Sequence, residues 1–170
     1  MKRFICLILI LSLCFCLFAC SNFDPNIRVP VEYYYRTREI HYNGADGVIS
    51  SETRDCFGYQ EDYAYLVEDY LKGPTTEKCI SPFPAGITLE QLDLVKDKVL
   101  IVVSSHLSML SGSELTVACM CLGKTLLDMT GMKAVRISAK DDLLDGNPYI
   151  TITNENFLLT DANDSFNPAE

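Results

Sequence analysis

The sequence predicts an α+β domain: a single mixed sheet of about six strands with two helices packed on it, in the order ββαββαββ. Three observations predict it. Two segments repeat their apolar residues at helical spacing, six short segments are rich in strand-forming side chains, and Gly, Pro, Asn and Asp punctuate the intervals between them.

The elements follow in order. Residues 31–37 (Val-Glu-Tyr-Tyr-Tyr-Arg-Thr) are β-branched and aromatic, which suits a strand. Asn43-Gly44 and Asp46-Gly47 signal a turn, and Val48 to Thr53 reads as the returning strand of a hairpin. From Gln60 to Lys72 the period changes: Tyr63, Leu66, Val67, Tyr70 and Leu71 form a helical stripe, Glu61 and Asp62 sit in its first turn, and Gly73-Pro74 stops it. Thr88 to Val95 and Lys98 to Ser104 read as a second hairpin around Lys96-Asp97. Val99-Leu100-Ile101-Val102-Val103 is apolar throughout, as in a central strand buried on both faces. Ser111 to Thr130 is the longest helix. Ser111 and Glu114 form a capping-box pattern, Leu115, Ala118, Cys119, Leu122, Leu126 and Met129 make the stripe, and Gly131 ends it. Ala134 to Ala139 alternates as a strand does. Asp145-Gly146-Asn147-Pro148 is a turn, and Tyr149 to Thr153 is the last strand. If the strands flanking the long helix are parallel, their crossover should be right-handed.

The N-terminus carries a different signal. Met1-Lys2-Arg3 is a short positive start, Phe4 to Phe18 is almost unbroken apolar sequence, and Leu17-Phe18-Ala19-Cys20 closes it. This is the layout of a secretory signal peptide. The run is short for a transmembrane anchor, which needs about 20 apolar residues. A cysteine directly after the small residue resembles a bacterial lipoprotein signal, which implies cleavage before Cys20 and a lipid on its thiol. Residues 1–19 are then the signal peptide, 20–30 the lipidated cysteine and a tether spanning at most about 35 Å, 31–160 the domain, and 161–170 a polar tail. The expected location is the extracytoplasmic face of the cell membrane.

Charge narrows the partners. Loss of residues 1–19 removes Lys2 and Arg3 and no acid, so 12 basic and 23 acidic residues remain, a net charge of −11. Such a chain repels nucleic acid. It gains nothing from anionic headgroups, so the lipid on Cys20 must supply the membrane attachment, with two or more acyl chains for stable anchoring.

Beyond the N-terminal segment four cysteines remain: Cys56, Cys79, Cys119 and Cys121. An even number outside the cytoplasm permits disulfides without establishing them. A Cys56–Cys79 bridge would close a loop across the first helix and contribute about 3 kcal/mol. Cys119 and Cys121 fall on different helix faces.

Several patterns approach known chemistry. Ala118-Cys119-Met120-Cys121-Leu122-Gly123-Lys124-Thr125 nearly spells a phosphate-binding loop, but it lies inside an amphipathic helix whose amides are already bonded. His41 and His106 are the only histidines and show no zinc spacing or pairing with a cysteine. Asp141, Asp142, Asp145 and Asn147 cluster, yet Leu143-Leu144 interrupts the alternation a calcium loop needs. Glu61, Asp62, Glu68 and Asp69 read as a solvated helix face. No enzyme, cofactor or metal is therefore expected. Alternation along the first strand puts Tyr33 and Tyr35 opposite Tyr34. Tyrosine favours interfaces, so Tyr33 and Tyr35 are the candidate partner surface, with partly exposed edge-strand tyrosines as the alternative.

Five short pieces, in order and spacing, resemble the GerMN domain of sporulation and spore-germination proteins. They are Leu71-Lys72-Gly73-Pro74, Phe83-Pro84-Ala85-Gly86-Ile87-Thr88, Val103-Ser104-Ser105, Ser111-Gly112-Ser113-Glu114 and Asp145-Gly146-Asn147-Pro148. The resemblance runs from about Val31 to Leu159, in one copy, with Lys96 where the family usually has glycine. It implies a non-catalytic, often lipid-anchored module that works through an envelope protein partner, in sporulation, germination or another surface assembly. The alternative is a small-ligand or cell-wall-binding surface lipoprotein, which requires a concave pocket.

Overall fold

The structure is a computed structural model that describes residues 28–39, 47–57 and 62–155. The signal segment, Cys20, His41, Tyr42, the first hairpin turn and the polar tail lie outside the described residues.

Among the described residues, seven strands and two helices follow one another as β1 (Arg28–Thr37), β2 (Ile49–Phe57), α1 (Tyr63–Leu71), β3 (Cys79–Ile80), β4 (Leu89–Val95), β5 (Lys98–Val103), a 3₁₀ turn (Ser105–Met109), α2 (Gly112–Thr130), β6 (Ala134–Ala139) and β7 (Ile150–Thr153). The α+β class holds, but the single sheet does not. β2-β1-β3 form one antiparallel sheet and β4-β5-β6-β7 a second, in which β5 and β6 are parallel. β3 and the 3₁₀ turn are too short to leave a periodic signal.

The split turns on a long-range contact. The Tyr34 edge of β1 turns away from β2 and meets side chains instead of another strand. The Tyr34 amide donates to Thr125 Oγ1 at 3.0 Å, and its carbonyl accepts from the Tyr70 hydroxyl at 2.7 Å. Thr125 is fully buried in the middle of α2, and this bond explains its presence there. Thr125→Val keeps the shape and orphans the amide. Its expected cost is about 1–3 kcal/mol in denaturant unfolding.

β5 was expected to be buried on both faces. Val99, Ile101 and Val103 are buried, while Leu100 and Val102 are only half-buried. Helix α2 covers one face of the four-stranded sheet. There Gly123 lies against Ile152, where a Cβ would come within 2.6 Å of Ile152 Cγ2. Of the stripe read from the sequence, Leu115, Ala118, Cys119, Leu122 and Leu126 are buried and Met129 is half-buried; Met120, Cys121, Thr125 and Leu127 are buried as well, because α2 also packs against β1. At the β4–β5 turn Lys96 adopts φ 58°, a left-handed conformation that favours glycine.

Candidate functional site

Four of the five motif pieces meet where β5 and β6 end. The Ser104 amide donates to the Thr88 carbonyl at 2.9 Å, and the Thr88 amide donates to Ser104 Oγ at 3.1 Å. Ser104 Oγ also lies 3.2 Å from His106 Nδ1. The His106 ring sits beside Gly86, which has φ +85° and whose Cβ, if present, would be 3.5 Å from Nε2. Gly86 is there for the turn, since a Cβ would make only ordinary contact with the imidazole.

The start of α2 is capped from across the site. Ser111 makes no side-chain cap bond, so the expected capping box does not form. Instead Asp145 Oδ2 accepts from the Gly112 amide at 2.8 Å, placing a carboxylate at the positive end of the helix dipole. The Ser108 hydroxyl ties the 3₁₀ turn to the next loop by donating to Asp142 Oδ2 at 2.5 Å. That bond, with the Leu143 amide, holds the Asp142 carboxyl below its usual range. Leu144 is buried and exchanges backbone hydrogen bonds with Asn147. These aspartates therefore brace a loop. Two large apolar side chains project from the bonded segments into solvent: Met109, 73% exposed, and Leu143, 53% exposed.

The fifth piece joins this end through a groove of about 380 Å³ between α1 and the start of β4. Leu71, Ile87 and Leu89 give it apolar walls, and Glu68, Lys72 and Thr88 add polar groups. The loop behind Lys72 is fixed by a pair that sequence inspection missed, Glu52 and Arg54 on β2. Glu52 accepts from the Thr75 amide at 3.0 Å, the Thr76 amide at 2.9 Å and the Thr76 hydroxyl at 2.9 Å. Arg54 Nε donates to Glu52 Oε1 at 2.7 Å, Nη1 to Asp69 Oδ2 at 2.9 Å, and Nη2 to the Gly73 carbonyl at 2.6 Å. Burial alone would raise the Glu52 carboxyl, but the bonds from Arg54, Thr75 and Thr76 outweigh it and hold it below the usual glutamate range. Charges two apart on a strand share a face, which was the available signal.

No protein-family model matches the chain, and a search of curated proteins finds no relative. Among solved structures, the tandem GerMN domains of the sporulation protein GerM from Bacillus subtilis superpose with a TM-score of 0.58, over 80% of this chain and 49% of that one, at 12% identity. The chain has the GerMN fold. It spans about half the length of that tandem protein. A candidate lipoprotein from Clostridium perfringens matches over 75% of this chain and 89% of that one, at 14% identity and a TM-score of 0.48.

Within this GerMN fold the tyrosine surface expected at Tyr33 and Tyr35 does not exist. Both are fully buried, and Tyr34 is nearly so. β1 is sandwiched: Tyr33 and Tyr35 donate to the Leu66 and Tyr70 carbonyls of α1 at 3.1 and 2.8 Å, while Tyr34 lies on the α2 side under Lys124. Tyr35 stacks on Tyr70 with ring centroids 4.8 Å apart. Nor are Cys56 and Cys79 bridged. They are free, buried thiols opposite Val29 and Thr37 of β1. Eight residues of strand put those positions roughly 26 Å apart, where a disulfide needs Cα atoms within about 7 Å. Cys119 and Cys121 are also buried and form no disulfide. The phosphate-loop lookalike is helical, as expected, and Gly123 and Thr125 serve packing and the β1 edge. Among the described residues no group of three or more His, Cys, Asp or Glu is arranged to hold a metal ion, and no helix is long and apolar enough to cross a membrane.

Proposed function

We propose that this protein is a lipid-anchored, extracytoplasmic GerMN-like module that acts by protein contact in the cell envelope, in sporulation or spore germination, and that it is not an enzyme. One observation carries the reading. All five pieces behind the GerMN resemblance gather along one side of the domain, at the groove beside Lys72 and the loop end bearing Met109 and Leu143. Exposed apolar tips on a braced scaffold suit docking better than catalysis. The thiols point the same way. Burial pushes Cys119 up to about 12 and raises Cys56 and Cys79 as well, the reverse of what a thiolate nucleophile needs. Cys20 supplies the anchor, which raises the effective concentration of neighbouring membrane partners.

The test has two arms in the host cell. Mass spectrometry of the native protein should find a diacylglyceryl-modified N-terminal Cys20 in the membrane fraction. An unmodified chain beginning at Met1 would remove the anchor. Photo-crosslinking residues at Lys72, Met109 and Leu143 should give a discrete envelope-protein adduct, with exposed Thr53 of β2 as the silent control. Equal yield at Thr53, or none at the three sites, would remove the contact face. The alternative of a small-ligand lipoprotein draws on the groove itself, whose volume is within the usual range for ligand sites.

A further inference from the structure

A second cavity, sharing no lining residue with the groove, lies between the start of β1, α1 and the C-terminal part of α2. Its volume is about 260 Å³. Val29, Val31, Leu66 and Met129 give it apolar walls, and Glu32 and Asp128 bring two carboxylates to it. Both acids are exposed, and neither belongs to the Glu52–Arg54 network.

We propose that this cavity receives the lysine side chain of a cationic protein partner. An apolar cleft with acids at its mouth matches a methylene stem ending in an ammonium group. The neighbourhood already holds one ammonium in this way. Lys124 Nζ lies 3.2 Å from Asp128 Oδ1 and 5.3 Å from the centroid of the Tyr34 ring. Two carboxylates against one internal ammonium leave a negative charge to be matched. Burial first, then Asp128 and Glu32, push the Tyr34 phenol upward, which places both carboxylates at one phenol and keeps it protonated. The chain as a whole carries a net charge of −9, which selects basic partners and speeds their approach. The inference needs neither lipidation nor a role in sporulation.

The experiment uses the full-length chain in neutral-detergent micelles with ¹³C-methyl-labelled methionine, following the Met129 methyl signal. The probe is Nα-acetyl-lysine N-methylamide. The control is the norleucine analogue, which keeps the stem and lacks the ammonium. A saturable Met129 shift is expected with a Kd of ~1 mM, at least tenfold tighter than for norleucine. The double variant Glu32→Gln, Asp128→Asn should weaken the lysine probe at least tenfold. The methyl signals of Met109 and Met120, which do not line the cavity, report that the variant stays folded. No Met129 shift, equal binding of norleucine, or unchanged binding by the double variant would each overturn the proposal.

Discussion

Arg54→Met is expected to lower stability by about 3–5 kcal/mol, the cost of leaving a buried carboxylate without its counter-charge. Glu52 has 2% of its side chain exposed, and Arg54 has 14%, so water cannot replace the lost partner. Arg54 also holds Asp69 and the Gly73 carbonyl. Its loss releases the end of α1 from β2, and with it the wall of the groove at Leu71 and Lys72. Denaturant unfolding should show the loss as a lower midpoint with little change in slope. The companion variant Glu52→Gln, Arg54→Met removes the stranded charge and should recover part of the stability. If the double variant is no more stable than Arg54→Met, charge pairing is not what the arginine supplies.

The pH dependence of the same pair has a definite sign. The folded Glu52 carboxyl is held below its ordinary value of 4.5. Its stabilisation is therefore complete above that value and is lost as the pH falls through the folded-state value below it. Without Arg54, burial opposes the ionised form more strongly, and protonation relieves it. The gap between wild type and Arg54→Met should narrow as the pH is lowered through this range. A constant gap would contradict the argument.

Periodicity carried most of the architecture into the sequence. The stripe from Leu115 to Leu126 and the alternation at Val135 and Ile137 predict a helix and a strand that the structure contains, although α2 is buried beyond its stripe, between β1 and the four-stranded sheet. Among the described residues, turn chemistry placed the breaks at Gly73, Gly131 and Gly146, and even the unusual Lys96 sits where a left-handed residue is required. What failed was non-local. Tyr33 and Tyr35 alternate like residues of a half-exposed strand, but helices cover both sides of β1, and period alone does not reveal a second cover. The division into two sheets turns on Tyr34 meeting Thr125, 91 positions away. The candidate site was legible only as five motifs. That they share one side of the domain depends on how α1, β4 and the loops after β5 and β6 converge. Ser111 and Glu114 matched a capping box by spacing, yet Asp145 supplied the cap from a different part of the chain.

Gly123→Ala tests that tertiary logic against local propensity. In an exposed helix this change would stabilise by about 1 kcal/mol, because alanine restricts the unfolded chain and favours the helix. In α2 the added methyl would stand 2.6, 2.7 and 2.8 Å from Ile152 Cγ2, Cβ and Cγ1. Those are closer than carbon atoms can approach, and Ile152 is itself nearly buried in β7. Either α2 lifts from the sheet or β7 shifts, and overpacking of this kind costs about 1–3 kcal/mol or more. A net destabilisation of roughly 1–3 kcal/mol is therefore expected, opposite in sign to the propensity effect. Ile152→Ala alone should also destabilise, by roughly 2–5 kcal/mol through the cavity it leaves. The two changes should be strongly non-additive, since the smaller residue at 152 makes space for the methyl at 123. Additive losses, or a Gly123→Ala protein more stable than wild type, would mean that α2 does not lie on β7 at this distance.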